Sequence, residues 1–213
     1  MAASALLHNA PPLLIFMFVM SITPGPNNLM LLSSGARFGL RRTLPHLLGI
    51  TSGFLLVLLV TFAGVGAVIL TYPSLKNGLT VACVLYLLWL GYQLLRHGYS
   101  DEVAPAQAGS IAARPLSFWQ STFFQLVNPK AWGATVPAIG IVARDGLSPA
   151  LALILLLAVG LIVNPPCILV WTLFGASVRP LLATRWIHRL FYALMAALIL
   201  ATAWWMLLPL LAR

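Results

Sequence analysis

The sequence predicts an all-α membrane protein with six transmembrane helices, built as a 3+3 inverted repeat in which helices 1 and 4 are broken. The first observation behind this prediction is composition: 61% of the 213 residues are hydrophobic and 7% are charged, whereas about a quarter of the residues of a soluble domain are charged. The second is a series of six long apolar segments. The third is a pair of proline-containing interruptions at matching places in the first and fourth segments.

The apolar segments are each long enough to cross a bilayer. A spanning helix needs about 20 mainly apolar residues to cross about 30 Å of hydrocarbon. The connections between segments are short except for residues 96–115, which are rich in Ala, Gly, Ser and Pro and typical of a flexible linker. We expect one transmembrane transporter domain, 1–213, with half-repeats at about 1–95 and 116–213 and a cytoplasmic linker. The predicted spans are about 12–34, 46–71, 77–95, 117–142, 149–176 and 187–210.

Basic residues are unevenly distributed between the connections. The connections between segments 1–2, 3–4 and 5–6 contain eight Arg residues, whereas the opposite side has Lys76, Arg144 and Arg213. Cytoplasmic loops carry the excess of Lys and Arg, so both termini are predicted on the non-cytoplasmic side. With three helices per half, the second half then enters the membrane in the opposite sense, as in an inverted repeat. Because the basic residues do not share one face with aromatic residues, no nucleic-acid partner is expected.

The interruptions predict where a ligand binds. The stretch "SITPGPNNLMLLSSG", residues 21–35, contains Pro24 and Pro26, and the fourth segment contains Asn128 followed by Pro129. Proline removes a backbone donor and clashes with the carbonyl one turn earlier. The freed groups are tolerated in a membrane only where they are buried in protein or line a wet cavity. Each break lies about 16 Å along its segment, near the expected midplane, and paired breaks of this kind indicate a transporter's substrate site.

The predicted site combines these breaks with nearby amides. Neutral amides can bind both the ammonium and the carboxylate of a zwitterionic amino acid without a buried charge. Lys130 is the one ionisable side chain predicted at mid-membrane, which makes it the leading candidate for proton coupling, ahead of His46; the alternative is a lysine that snorkels to the interface. A polar stretch at 163–167 is either a site wall or a structural kink. The predicted substrate-binding residues are Pro24, Gly25, Pro26, Asn27, Asn28, Gln125, Asn128, Pro129, Lys130 and Asn164.

Enzymatic chemistry finds little support in the sequence. The three acidic residues, Asp101, Glu102 and Asp145, all lie in predicted loops. No spacing of His, Cys or acidic residues matches a metal site, so we expect no cofactor, no metal and no catalytic residue. The alternatives to a transporter are a passive channel for small polar solutes and an intramembrane enzyme.

The chain resembles a known family over nearly its whole length, and two stretches carry the resemblance. "TPGPNNLMLLSSGARFGLRRTLPHLLGITSGF" and, downstream, "PLSFWQSTFFQLVNPKAW" are similar to the LysE/RhtB family of amino-acid exporters, in particular its cysteine and O-acetylserine exporter branch. The resemblance implies efflux of small amino acids by proton antiport across the bacterial inner membrane, by a homodimer of six-helix subunits in the lipid bilayer. The family's motifs fall on residues 24–28 and 128–130. Some relatives carry an acidic residue where this chain has Asn27 and Asn28.

Overall fold

The computed structural model describes residues 2–99, 114–143 and 147–211, and these residues form helices joined by short connections, with no strand among them. The prediction of an all-α protein is therefore confirmed. A π-helical turn, Thr61–Val65, and a 3-10 turn, Arg179–Ala183, adjoin the α-helices. The helices are α1 (Ala2–Ile22), α2 (Pro26–Phe38), α3 (Leu40–Val60), α4 (Gly66–Thr71), α5 (Pro73–Tyr99), α6 (Phe118–Val127), α7 (Pro129–Val142), α8 (Pro149–Val178) and α9 (Arg185–Leu211).

Five stretches of the described residues are long and apolar enough to cross a membrane, compared with six predicted. The difference arises at 117–142, where α6 has 10 residues and α7 has 14, so neither helix reaches about 20 residues alone. The predicted bounds of the first span, 12–34, were also wrong, since α1 begins at Ala2 and ends at Ile22. The 3+3 arrangement stays a prediction. The candidate spans are Ala5–Ile22, Leu40–Val65, Pro73–Arg96, Pro149–Ala183 and Arg185–Leu208.

Both backbone breaks lie where the prolines predict them. The chain leaves α1 after Ile22, passes through an extended Gly25, and re-enters a helix with Pro26 at its first position. In the second half, Asn128 is extended and Pro129 begins α7. Proline suits the first position of a helix because its missing N–H would have no intrahelical partner there. Each break is therefore a helix end followed directly by a new helix start.

The third polar stretch is not a break. Residues 163–167 lie inside α8, which continues through Pro165 and Pro166. The backbone φ of proline fits a helix, and the carbonyls that lose their donors can be satisfied by local adjustment in membrane proteins. Asn164 therefore lies on a continuous helix rather than at a helix end.

Small residues let the helices approach closely. A Cβ added to Gly49 of α3 would collide with the Phe118 carbonyl and the Ser121 hydroxyl of α6, and one added to Gly53 would lie 2.5 Å from the Thr122 carbonyl oxygen. The hydroxyl of Thr122 also donates to the Gly49 carbonyl oxygen at 3.1 Å. The small-residue spacing in "GITSG", 49–53, thus serves close packing of α3 against α6, as such spacing usually does.

The apolar residues form two large clusters, and the chain crosses between them at the breaks. One cluster contains residues of α1, α3, α7 and α8. The other contains residues of α2, α5 and α9, together with Phe124 of α6. The first break separates α1 from α2 and the second separates α6 from α7, so each break passes from one cluster to the other. This position places polar backbone and amide side chains between two apolar regions.

Candidate substrate site

The first break leaves carbonyl oxygens at the end of α1 that the helix cannot satisfy, since the last four carbonyls of any helix lack intrahelical partners. Side chains from other elements supply the donors. Asn28 donates from Nδ2 to the carbonyl oxygens of Ser21 (2.9 Å) and Thr23 (2.7 Å). The indole of Trp171 on α8 donates to the Ile22 carbonyl oxygen at 3.0 Å. Donors from α2 and α8 therefore satisfy carbonyl oxygens that the break frees.

Lys130 completes this set from the second break. Its Nζ lies 2.7 Å from the Thr23 carbonyl oxygen, 3.1 Å from the Thr23 hydroxyl and 3.1 Å from the Pro24 carbonyl oxygen. These oxygens follow the C-terminal end of α1, where the helix dipole favours a positive charge. A Cβ added at Gly25 would lie 2.7 Å from Lys130 Cδ, so a larger residue at this position would displace the lysine side chain. The ammonium is thus directed at the first break rather than along the helix toward an interface.

A pair of amides joins the two breaks directly. Asn27 donates from Nδ2 to Gln125 Oε1 at 2.8 Å, and Gln125 donates from Nε2 to Asn27 Oδ1 at 3.0 Å. Gln125 is fully buried and also donates to the Ser121 carbonyl oxygen at 3.3 Å. Two complementary amides exchange both hydrogen bonds in this arrangement, which fixes the start of α2 against α6.

The helix that follows each break begins differently. Asn128 caps α7, because its Oδ1 accepts from the Lys130 backbone N–H at 3.1 Å. At the start of α2 the N-cap residue is Gly25, which has no side chain to accept such a bond. The N-terminus of a helix carries free N–H groups and a positive partial charge, and these favour anions. The start of α2 therefore offers unused backbone donors beside the Lys130 ammonium.

A small cavity lies between the breaks, and Asn164 borders it. The side chain of Asn164 is 6% exposed and donates to the Ser21 hydroxyl at 3.3 Å. Its buried Oδ1 has no hydrogen-bond partner among the described residues, which is costly unless water or a ligand supplies a donor. The cavity encloses about 30 Å³, enough for a water molecule but too little for an amino acid. Its polar lining includes Ser21, Asn27, Asn28, Gln125, Asn128, Lys130 and Asn164.

The structure thus brings most of the predicted residues to one place. Five predicted amides, Gly25 and Lys130 border the cavity. The three prolines at 24, 26 and 129 form the breaks without bordering it. Trp119 is 64% exposed and Trp132 is buried, and neither borders the cavity, so both belong to the surface and packing rather than to this site. The sequence analysis did not select Ser21 and Thr23, because they act through backbone carbonyls and common hydroxyl groups, which no sequence motif marks.

Several earlier expectations concern residues outside the described ranges. The acidic residues Asp101, Glu102 and Asp145 are among them, as is most of the linker at 96–115. Within the described residues no group of His, Cys, Asp or Glu is arranged to hold a metal ion.

The site and fold define a helical membrane protein with paired broken helices, and comparison with known proteins gives its family. The sequence profile of the LysE type translocators matches residues 18–208. The chain belongs to this family. With its apolar spans, this membership implies a bacterial inner-membrane protein of a transporter family.

Individual relatives carry a more specific name. The chain is 32% identical over 116 residues to the cysteine/O-acetylserine efflux protein of Escherichia coli (strain K12) and to that of Shigella flexneri. It is 31% identical over 116 residues to that of Escherichia coli O1:K1. Each alignment covers 54% of this chain and 55% of the relative, so the match spans about half the length of these curated relatives. No solved structure matches the chain.

Proposed function

We propose that this protein exports small zwitterionic amino acids or their derivatives, of the cysteine and O-acetylserine type, in exchange for protons. The observation that carries the proposal is the contact between the two breaks: Lys130 of α7 donates to the Thr23 and Pro24 carbonyl oxygens of the first break. A cation, the free N–H groups at the start of α2 and the unpaired amide oxygen of Asn164 border one cavity between the two breaks. Family membership and the printed name of the relatives support the substrate class.

The substrate's two charged groups find different partners at this site. The carboxylate would bind the free N–H groups at the N-terminus of α2, which favour an anion. The ammonium would donate to the unpartnered Oδ1 of Asn164 and to the amide oxygens of the Asn27–Gln125 pair. All of these groups border the same cavity.

The cavity must widen before it admits a substrate. An amino acid does not fit in about 30 Å³, so binding requires the two breaks to separate. Separation would break the Asn27–Gln125 pair and release Lys130 from the α1 carbonyls. The structure then corresponds to a closed, substrate-free state, and the substrate would replace the hydrogen bonds that opening removes.

Lys130 is the proposed coupling residue. In the substrate-free state its ammonium is held by the Thr23 and Pro24 carbonyl oxygens. For exchange, Lys130 would release this proton to the cytoplasm when the substrate binds and take up a proton from the outside when the substrate leaves, so that one proton enters for each molecule exported. A lysine in a partly buried site can change protonation state in this way, whereas an arginine cannot.

The membrane arrangement is part of the proposal. We infer an inverted repeat in which α1–α5 and α6–α9 are related halves and both termini are non-cytoplasmic. Helix pairing supports this inference. In such a repeat α1 corresponds to α6 and α3 to α8, so a contact of α3 with α6 should be matched by one of α1 with α8, and both contacts occur.

Alkaline phosphatase fused after Arg213 should be active and the same reporter at Ala106 inactive; the reverse would disprove the orientation. A homodimer is also proposed, and crosslinking in membranes tests it.

Transport by the purified protein in proteoliposomes tests the function. Vesicles loaded with labelled O-acetylserine should release it faster when the outside is made more acidic than the lumen. Release at the same rate with and without the pH gradient would indicate a passive channel. No release under either condition would disprove export of this substrate class, and cysteine and homoserine serve as the comparison substrates.

A further inference from the structure

A second and larger cavity lies at the other end of α2. It encloses about 120 Å³ between α2, α3, α5 and the residues just before α6. A dry cavity of about 150 Å³ holds a molecule the size of benzene, so this space approaches the size of a small amino acid. Its polar lining includes Ser33, Arg37, His46, Gln93 and Arg114.

Two side chains at this cavity have unused hydrogen-bonding groups. His46 is 1% exposed, and neither of its ring nitrogens has a partner among the described residues. The buried Nε of Arg37 likewise has none. Buried polar atoms are nearly always hydrogen-bonded in native proteins, and each exception needs an explanation. A bound ligand that accepts hydrogen bonds would satisfy Arg37 Nε and the one N–H of a neutral His46 together.

The charge at the cavity favours an anion. Arg37 and Arg114 both border it, and its described lining residues include no acidic side chain. A guanidinium presents donors in a planar fork that matches a carboxylate, and a neutral imidazole can add a further donor. The remaining lining is mainly apolar and includes Phe38, Tyr86 and Trp89, which suits a ligand with a small organic side chain.

The position of the cavity links it to the proposed export route. Asn27, at the first cavity, lies at the start of α2, and Arg37, at the second, lies near its end, so at 1.5 Å per residue these two residues are roughly 15 Å apart along one helix. Arg37 belongs to the arginine-rich side, which the charge distribution predicts to be cytoplasmic. A molecule leaving the cytoplasm would reach this cavity before the break site.

We propose that the cavity at Arg37, His46 and Arg114 is a second binding site, which takes the carboxylate of the exported amino acid on its way from the cytoplasm to the break site. The inference rests on the proposed function for the identity of its ligand. Its ligand chemistry is that of a small carboxylate.

Equilibrium binding tests this site without transport. The full chain is placed in neutral phosphatidylcholine nanodiscs, and its affinity is measured for cysteine and for cysteamine, which lacks the carboxylate. Cysteine should bind at least about tenfold more tightly, since hydrogen bonds to charged groups are the strong ones. Arg37→Gln should remove most of that preference. Arg41→Gln, an exposed residue with the same loss of charge, should keep it.

Further variants separate this site from the break site and from a folding defect. Lys130→Met removes the cation of the break site. The Lys130→Met variant should still prefer cysteine to cysteamine, because the second site is intact, and should lose this preference when Arg37→Gln is added. Arg114 is exposed, so Arg114→Gln should fold normally and weaken cysteine binding several-fold even if Arg37→Gln does not fold.

The outcomes distinguish this inference from the proposed function. If wild-type proteoliposomes transport O-acetylserine while Arg37→Gln and Arg114→Gln leave cysteine affinity unchanged, the second site is disproved and the export function stands. If instead these variants remove only a preference for phosphatidylglycerol over phosphatidylcholine, the cavity binds lipid headgroups and the proposal is wrong. Absence of transport with intact, arginine-dependent cysteine binding would disprove export but retain the site.

Discussion

The amide pair between Asn27 and Gln125 gives a quantitative test of how the two breaks are joined. Leucine at either position is close in size to the native side chain and has no polar atom. Each single replacement leaves the partner amide, which is buried for Gln125 and partly buried for Asn27, without the two hydrogen bonds of the pair, whereas replacing both removes the amides together. A double-mutant cycle therefore isolates the energy of the pair.

The expected coupling follows from the two hydrogen bonds, at 2.8 and 3.0 Å. Hydrogen bonds inside membrane proteins average about 0.6 kcal/mol in such cycles and reach about 1.7 kcal/mol. Two of them, in a pair where Gln125 is fully buried, should give a coupling energy of about 1 to 3 kcal/mol. The two single variants should therefore lose more free energy of unfolding in sum than the double variant loses.

The free energy of unfolding is measured by circular dichroism during SDS titration of the protein in mixed micelles. The hydroxyl pair of Thr61 and Thr135, 2.9 Å apart and buried, is the matched control: valine at both positions should lower stability while export continues. In contrast, the Asn27 and Gln125 variants should lose export as well. A coupling energy below about 0.5 kcal/mol, the range seen for independent sites, would refute a direct link between the breaks.

Three other perturbations test the breaks and the packing around them. Replacing Pro24 and Pro26 by alanine should restore helical hydrogen bonds, preserve or raise the melting temperature and abolish export; normal export by a stable variant would make the break a kink only. Lys130→Met should fold and lose proton-driven export, and Lys130→Arg, which cannot release its proton, should turn over slowly; full pH-dependent export by the arginine variant would contradict the coupling role. Gly49→Ala should cost about 1–3 kcal/mol through overpacking against α6, whereas Gly140→Ala, which has open space around it, should cost nothing measurable; equal effects would refute the close approach of α3 and α6.

The breaks were predictable because proline acts locally. Pro24, Pro26 and Pro129 each remove a backbone donor, which favours a helix end at these positions. Proline alone does not fix a helix end, because α8 continues through Pro165 and Pro166. The difference lies in what surrounds the proline: the first break has Asn28, Trp171 and Lys130 to satisfy its carbonyls.

The site was predictable in its amides and lysine but not in its backbone. Polar side chains inside apolar segments stand out, so Asn27, Gln125 and Lys130 could be selected before their contacts were known. The Thr23 carbonyl and the orphaned oxygen of Asn164 depend on tertiary packing, which hydropathy does not report. The cavity at Arg37 was missed for the same reason, since its lining comes from four separate parts of the chain.

Proton movement during substrate efflux tests the central claim most directly. Proteoliposomes are loaded with O-acetylserine and a pH-sensitive dye, then diluted into substrate-free buffer at the same pH. Our account predicts that the lumen becomes more acidic in step with substrate efflux, because each exported molecule is exchanged for protons, and that Lys130→Met abolishes this change. Efflux by the wild-type protein with no change in luminal pH, or acidification that persists in Lys130→Met, would contradict it.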